Sequence, residues 1–595
     1  MSSMIPTGRH LCRAEAHAAG GDQCRRPKLS LHPGSLHPWI RLGLLQLLWV
    51  PVVMPATTEA LRDRALAALR RAARFYAEQA AIHGGYHYAY TADLSWGRSE
   101  HGVGKTQVEV QPMGTPGVGL AFLEAWQTTR EPFLLEAARR AARALVQGQL
   151  CSGGWHYLIE FDPAKRKRYA YRADHNCASG AFNTTTLDDN TTQGALRLLM
   201  RVDRELGFQD SLIHEAAIYG LDSLVKAQYA NGAWPQRYSR FPDPKAHQPK
   251  PASYPDDWPR QWPDPDYAPY YTFNDNVIVD AIDTLLEAAR IYREPRYLEA
   301  AHRGGDFILL AQMPDPQPAW AQQYDFDMHP AWARRFEPPA ITTGESQGIL
   351  RMLLILYAEL GDPKYLQPIP RALDYFRRSA LPPPQRPSHA WLQAAAGGGP
   401  VLARFYELRT NRPLFFTKGT QVIVRGYATY RADGYTLTYS PDNIITHYVL
   451  LLNGRWLDRL EQEFRRAAST ERSKLKRPDQ LYGIAPWSEA REPSPTPAEI
   501  EQIIAAMDER GAWVEPGYIG AGEPLVSVFA ARPMLVRLGN QWLELSEDQT
   551  LEVFTTTQRP LDKVIRSRTF IRNVRLLSRF LRESVVNARP TNGSQ

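Results

Sequence analysis

The chain is short of cysteine and of long apolar runs, and both shortages limit what it is. Four cysteines stand among 595 residues. The apolar run from Leu42 to Met54 has thirteen residues, broken only by Gly43, Gln46 and Pro51. A run of that length does not span a bilayer, so no stable membrane span is expected.

The same run is typical of the core of a signal peptide, since a basic residue precedes it and small residues follow. We therefore expect a leader over residues 1–58 and a secreted or periplasmic protein. Two alternatives stand beside this interpretation: a buried apolar loop, or translation from Met54, which would give a cytoplasmic protein. A mature chain that begins near Glu59 keeps two cysteines, Cys151 and Cys177. They are either one disulfide or two unrelated buried thiols.

The chain also carries only a small excess of positive charge once the first 58 residues are set aside. The formal net charge is +7, but the first 58 residues hold six Lys/Arg and two Asp/Glu, which leaves about +3 for the rest. Nothing here predicts a nucleic-acid partner. Two clusters matter more, Lys165 to Arg168 and Arg334-Arg335, because arginine forks suit carboxylates. A solvated charge run is the alternative for the first cluster.

What the chain does have is a repeated two-helix unit of roughly eighty residues. Four inner-helix starts are visible: Gly114-Thr115-Pro116-Gly117, Asp188-Asp189-Asn190-Thr191, Asn274-Asp275-Asn276-Val277 and Thr343-Gly344-Glu345-Ser346. Asp188 or Asp189 therefore takes the place that Asp275 takes in the next repeat. Equivalent places in a ring of helical hairpins lie on one rim, so we expect these carboxylates to meet in a cleft.

Apolar residues recur at helical spacing within the units, and Gly-rich loops that contain Trp155 and Trp234 follow the second helices. The predicted fold is mainly α, an (α/α) toroid of repeated helical hairpins over 59–415. A C-terminal extension over 416–595 is predicted to be mixed α/β, with short strands and helices that pack on the toroid. Trp155 and Trp234 are read either as core residues or as platforms for sugar rings.

Seven ordered stretches of the chain resemble the family 10 pectate lyases, also called pectic acid lyases. They cover roughly Ala60 to Phe415 and begin at Gln111, Ser152, Thr186, Gly232, Thr272, Trp332 and Ala403. The resemblance implies cleavage of polygalacturonate (pectate) by β-elimination with Ca²⁺. It also implies that Asp188 and Asp275, with Asp189 beside them, serve the metal and the substrate carboxylates. The alternative for each aspartate is a helix N-cap.

The resemblance further implies an arginine as the general base, and Arg404 is the position that carries this over. This is chemically demanding, because a guanidinium normally keeps its proton. Arg412 is a second candidate, or else a capping cation. Arg334, Arg335, Arg412 and Trp234 are the expected substrate-binding residues.

Two insertions depart from the family pattern: a proline-rich one at about 241–269 and a long one at about 518–563. Two other functions also stay open. An (α/α) toroid glycoside hydrolase would pair Asp188 or Asp189 with Asp275 or Glu345 as acid and base. A non-catalytic carbohydrate-binding envelope protein would keep the fold without turnover.

Overall fold

The computed structural model describes most of the chain after the predicted leader. The described residues are 58–178, 180–385, 387–396, 398–418, 423–425, 427–429, 435–441, 444–445, 448–475, 494–517, 519, 526–529, 534–538, 541–545, 550–553 and 563–587. The signal-like run Leu42 to Met54 lies outside them. Within these ranges, no helix has the length and apolar content needed to cross a membrane.

Helices make up most of the described structure and follow the predicted pairing. Across the described ranges they are α1 Thr58–Phe75, α2 Thr115–Thr129, α3 Pro132–Gln147, α4 Pro163–Arg166, α5 Thr191–Glu205, α6 Ser211–Lys226, α7 Val277–Tyr292, α8 Pro295–Leu310, α9 Thr343–Leu360, α10 Pro368–Arg378, α11 His389–Ala395, α12 Trp456–Ser469, α13 Arg472–Leu475, α14 Pro497–Ala505 and α15 Ser567–Asn587.

These helices form an array of hairpins. Helices α2 and α3, α5 and α6, α7 and α8, and α9 and α10 pack as pairs. The first members also pack on one another in the order α2, α5, α7, α9, and α12 and α15 extend this inner series at its two ends. Since α5 and α7 have neighbours on several sides, most of their residues are buried. The predicted (α/α) toroid arrangement is confirmed.

Across the described ranges, short strands lie between the helices and in the C-terminal segment. They are β1 Ala89–Thr91, β2 Gly97–Arg98, β3 Gln107–Glu109, β4 Leu158–Glu160, β5 Thr185–Thr186, β6 Arg237–Tyr238, β7 Tyr271–Thr272, β8 Gln323–Tyr324, β9 Ala340–Thr342, β10 Val401–Ala403, β11 Phe405–Glu407, β12 Pro413–Lys418, β13 Ile423–Arg425, β14 Tyr427–Thr429, β15 Tyr435–Thr438, β16 Leu451–Asn453, β17 Val514–Glu515, β18 Val526–Phe529, β19 Met534–Leu538, β20 Gln541–Leu545, β21 Thr550–Val553 and β22 Val564–Arg566.

One pairing rule recurs among these strands. The strand before each inner helix pairs antiparallel with the strand that follows the outer helix of the same unit: β3 with β4, β5 with β6, β7 with β8, and β9 with β11. Each ladder therefore brings the start of an inner helix to the same edge of the array. This regularity is what collects distant sequence segments on one rim.

Buried tryptophans close the outer helices in a second repeated pattern. Four indole N–H groups each donate at 2.8 Å to a backbone carbonyl in the last turn of a helix: Trp155 to α3, Trp234 to α6, Trp320 to α8 and Trp513 to α14. Trp155 and Trp234 have no exposed surface. The expectation that Trp234 offers a face to a sugar ring is therefore wrong. Its N–H satisfies a helix end and its ring fills the core.

The C-terminal segment returns to the hairpin array, as predicted. Helix α15 packs on α1 and α2, and β22 pairs with β1. Phe570 of α15 stacks on Tyr76 with ring centroids 3.8 Å apart. The division into domains at residue 415 stays a prediction. Near the rim, Cys151 and Cys177 are joined as a disulfide, which decides between the two sequence alternatives.

Candidate active site

Two inner helices begin with the same left-handed turn. Asp189 and Asn190 before α5 have φ of 50° and 57°, and Asp275 and Asn276 before α7 have φ of 47° and 60°. Asp and Asn are the non-glycine residues that tolerate this region best. The structural equivalent of Asp275 is therefore Asp189, and Asp188 corresponds to Asn274. Sequence alone left open which of the two aspartates matches Asp275.

The two turns pack against each other and bring three carboxylates together. Single oxygen atoms of Asp188, Asp189 and Asp275 all lie within 4.8 Å of one another. Asp188 Oδ1 is buried and accepts no hydrogen bond from the described residues. Burial, together with Asp188 and Glu100, raises the pKa of Asp189 to about 7. Burial, with both neighbouring aspartates, likewise raises the pKa of Asp275 well above its usual range. This repulsion is what a bound cation would relieve.

The residues around these carboxylates orient them by hydrogen bonds from side chains. Tyr157 donates to Asp188 Oδ2 at 2.7 Å, and Gln111 donates to Asp189 Oδ2 at 2.9 Å. The Nδ2 of Asn274 donates to Asp275 Oδ2 at 3.0 Å. The helix N-caps, Asn190 and Asn276, form no side-chain capping bond. The donors to the three aspartates are side chains, so these hydrogen bonds do not indicate a helix-capping role. A group of carboxylates with an unsatisfied oxygen fits Ca²⁺.

The inner helix that follows α7 in this series, α9, begins differently. Arg404 Nη2 donates to Oε1 of Glu345, in the first turn of α9, at 2.5 Å. The Arg404 guanidinium also lies over the Tyr448 ring, 4.1 Å from its centroid. The backbone N–H of Thr343 donates to the Arg404 carbonyl at 2.8 Å, which fixes the junction of β10 and β11 against the helix start. Burial alone would lower the pKa of Arg404, but Glu345 and Tyr448 outweigh it and the pKa is raised.

One glutamine links this arginine to the acidic group. Gln322 Nε2 lies 2.9 Å from Asn274 Oδ1, 2.9 Å from Glu345 Oε1 and 2.8 Å from the Tyr448 hydroxyl. Asn274 in turn bonds to Asp275. Arg404 therefore lies on the same rim as the three carboxylates, and Asp275 adds to the electrostatic stabilisation of its charge.

Two guanidinium groups, those of Arg334 and Arg237, contact the acidic group directly. The Nη2 of Arg334 lies 3.8 Å from Asp275 Oδ2. Two nitrogens of Arg334 donate to Glu337 at 2.8 and 2.6 Å, and Tyr448 donates to the same glutamate at 2.8 Å. Burial opposes the charge of Arg334, but Glu337 outweighs it and raises the pKa. On the other side, Arg237 lies 3.6 Å from Asp188.

The remaining predicted arginines lie in different surroundings. Arg335 lies over the indole of Trp262 at 4.7 Å. Arg412 donates to Glu407 at 2.9 Å and stacks on Tyr439 at 3.7 Å. That pairing ties together the loop after β11, because the Glu407 N–H donates to the Arg412 carbonyl. None of the described contacts brings Arg412 to the three aspartates, so its role in substrate binding stays a prediction.

The sequence reasoning did not select several residues of the site. They are Gln111, Tyr157, Arg237, Gln322, Glu337 and Tyr448. Two of them were within reach of sequence analysis. Tyr157 ends the sequence Gly-Gly-Trp-His-Tyr that contains Trp155, and Gln322 lies two residues after Trp320, which follows α8 as Trp155 follows α3. Tyr448 carries no repeat signal, because it comes from the C-terminal segment.

Sequence comparison addresses the same region. Residues 149–438 match the family model of pectic acid lyase. The segment contains both left-handed turns, Arg334 and Arg404, so the resemblance found in the motifs is confirmed there. The match supports a polysaccharide lyase. No protein of curated function matches the chain significantly in sequence.

Solved structures give similarities of low identity. A family 10 polysaccharide lyase from Cellvibrio cellulosa is 21% identical, covers 59% of this chain and 97% of its own, and has a TM-score of 0.38. A mutant of that enzyme in complex with trigalaturonic acid is 18% identical with the same coverage and TM-score. An α-mannanase from Bacteroides thetaiotaomicron is 9% identical, covers 89% of this chain and 97% of its own, and has a TM-score of 0.36.

Proposed function

We propose that this protein is a secreted pectate lyase that cleaves polygalacturonate by Ca²⁺-dependent β-elimination. The observation that carries the proposal is the convergence of Asp188, Asp189 and Asp275 on one rim, beside two arginines, within the segment that matches pectic acid lyase. Carboxylates that repel one another and retain an unsatisfied oxygen need a cation, and a uronate carboxylate needs both cations and guanidinium groups.

The residues that would hold Ca²⁺ are the three aspartates. Bound there, the ion would neutralise the substrate carboxylate and make the adjacent C5 proton more acidic. Tyr157, Gln111 and Asn274 fix the carboxylate orientations before substrate arrives. Arg334, held by Glu337, and Arg237, beside Asp188, flank the group and are suited to the carboxylates of adjoining sugars.

In β-elimination the C5–H bond breaks, a C4–C5 double bond forms and the C4–O bond breaks with its electrons staying on oxygen. The chain's task is to take the C5 proton. We keep Arg404 as the proposed base, since it lies on the rim and is fixed by Glu345. Arg334 is the alternative, because it contacts Asp275 directly. Burial would lower the pKa of both arginines, but the neighbouring glutamates outweigh it and raise the pKa, so either one must lose the support of its glutamate before it acts as a base.

The geometry favours a lyase over a toroid hydrolase. A hydrolase places one acid and one base carboxyl group on either side of the glycosidic bond, about 5 to 10 Å apart. Here three carboxylates offer oxygens within 4.8 Å of one another, an arrangement that suits one shared cation. Glu345, the other candidate acid, pairs with Arg404; burial opposes ionisation, but this pairing outweighs it and lowers the pKa.

The test is digestion of de-esterified polygalacturonate followed at the ultraviolet absorbance of the unsaturated uronide. We expect the absorbance to rise with the wild-type protein, to stop rising with a calcium chelator and to resume on adding calcium in excess. New reducing ends without absorbance would indicate a hydrolase. Binding of the polymer with neither product would indicate the non-catalytic alternative.

A further inference from the structure

The proline-rich segment 241–269, here called the strap, is anchored to parts of the chain outside the arginine loop, residues 332–337. Arg409 Nη2 donates to the Pro255 carbonyl at 2.9 Å, and the Ala252 N–H donates to the Leu310 carbonyl at 2.7 Å. At its end, the Ala268 carbonyl accepts from the Gln236 N–H at 3.0 Å. The strap is therefore held to three separate parts of the hairpin array.

Two reciprocal hydrogen bonds join the strap to the arginine loop. The indole N–H of Trp262 donates to the Ala333 carbonyl at 2.7 Å, and that of Trp332 donates to the Pro259 carbonyl at 2.8 Å. Trp258 packs on Trp332 with ring centroids 6.1 Å apart, and both indoles are buried. The backbone immediately before Arg334 thus depends on the strap for its position.

The strap also contacts an arginine side chain directly. The Arg335 guanidinium lies 4.7 Å from the Trp262 ring centroid. Stacking on an aromatic face removes much of the rotational freedom that a long side chain otherwise loses on binding. The neighbouring Arg334 contacts Asp275, so the loop that carries Arg335 borders the proposed cation site.

We infer that Trp262 is a positioning residue for substrate: it stacks on Arg335 and, through that arginine, sets the affinity of the site for the polyuronate chain. This inference rests on the proposed function. Interactions with substrate carboxylates away from the reacting sugar are the same in the ground state and the transition state, so their loss raises KM and leaves kcat nearly unchanged.

The test is a double-mutant cycle on polygalacturonate cleavage with Trp262→Leu, Arg335→Ala and the double variant. We expect Trp262→Leu to raise KM about three- to tenfold and Arg335→Ala to raise it about tenfold or more. The double variant should match Arg335→Ala, because Trp262 acts through that arginine. Trp262→Phe keeps a ring under Arg335 and should recover most of the affinity even where the leucine variant is poorly folded.

The matched control is Trp126→Leu. Arg130 lies 4.4 Å over the Trp126 ring, so the control breaks the same type of pair. Trp126 is eleven residues after the start of α2, about 16 Å along the helix from the rim. Its loss should leave KM unchanged.

Each contrary outcome has a distinct meaning. An unchanged KM in folded Trp262→Leu, or effects of Trp262 and Arg335 that multiply in the double variant, would overturn the inference and leave the lyase proposal intact. A wild-type protein that neither cleaves nor binds polygalacturonate would overturn the proposed function and this inference together.

Discussion

The start of α7 and the start of α9 occupy equivalent places in successive repeats. The first contributes a carboxylate to the acidic group, and the second holds an arginine. At α7 the chain makes a left-handed turn, and Asp275 joins the acidic group. At α9 the residue before the helix, Thr342, is extended, and Glu345 is neutralised by Arg404. The toroid thus supplies equivalent rim positions, and a change in local backbone conformation decides whether the position gathers carboxylates or holds an arginine.

The largest effect should come from the acidic side of this comparison. Asp275→Ala, and separately Asp188→Ala, should lower polygalacturonate cleavage by more than about 100-fold, since even residues that only orient metal ligands cost 10- to 100-fold. Circular dichroism should show an intact fold, because these side chains lie on the rim. Near-normal turnover in either variant would return that residue to a capping role and remove the proposed cation site.

The arginine side should separate the two candidate bases. Arg404→Lys and Arg334→Lys both keep a positive charge but lose the planar fork. If Arg404 is the base, Arg404→Lys should lower kcat by at least about 100-fold, whereas Arg334→Lys should mainly raise KM. The reverse pattern would transfer the role to Arg334. Full activity in Arg404→Lys would end its assignment as base.

A smaller effect is expected where a neighbour only orients a carboxylate. Tyr157→Phe removes the hydroxyl that donates to Asp188 Oδ2 and leaves the ring, on which His101 stacks at 4.0 Å. We expect the calcium concentration for half-maximal activity to rise about 10- to 100-fold, with kcat near wild type at saturating calcium. A loss of kcat that calcium does not restore would instead place the Tyr157 hydroxyl in the chemical step.

The hairpin plan was within reach of the sequence because the repeat marks the beginning of each unit. The inner helices begin at or next to the predicted starts, at Thr115, Thr191, Val277 and Thr343. The sequence also identifies the three aspartates, because carboxylates recur at equivalent positions of successive repeats. Their convergence follows from the strand pairing rule at the rim.

Other features depend on three-dimensional contacts that no spacing encodes. The left-handed φ values that make Asp189 the partner of Asp275 are properties of the backbone, and Asp188 and Asp189 look alike in sequence. Trp234 follows the sequence pattern of either a core residue or a sugar platform, and only the structure shows its N–H bonded to a carbonyl ten residues earlier and its ring buried. Tyr448 reaches the site from outside the repeats, so its part in holding Arg404 and Glu337 was not foreseeable.

The smallest effect should appear in stability without calcium. The pKa of Asp189 is raised to about 7, so its ionised form destabilises the metal-free fold. That penalty is present above pH 7 and disappears as the pH falls towards the unfolded value of about 4. With chelator present, Asp189→Asn should melt at a higher temperature than wild type at pH 8 and at the same temperature near pH 4. Equal melting temperatures at both pH values would contradict the destabilisation of ionised Asp189 by burial and by the neighbouring Asp188 and Glu100.

The central claim is that two repeated turns together form one cation site, and calorimetric titration of calcium into the metal-free protein tests it most directly. The account predicts that wild-type protein binds calcium at this site and that Asp189→Asn and Asp275→Asn, one from each turn, both lose most of that affinity. Equal calcium affinity in wild type and both variants would show that the three carboxylates do not hold the ion.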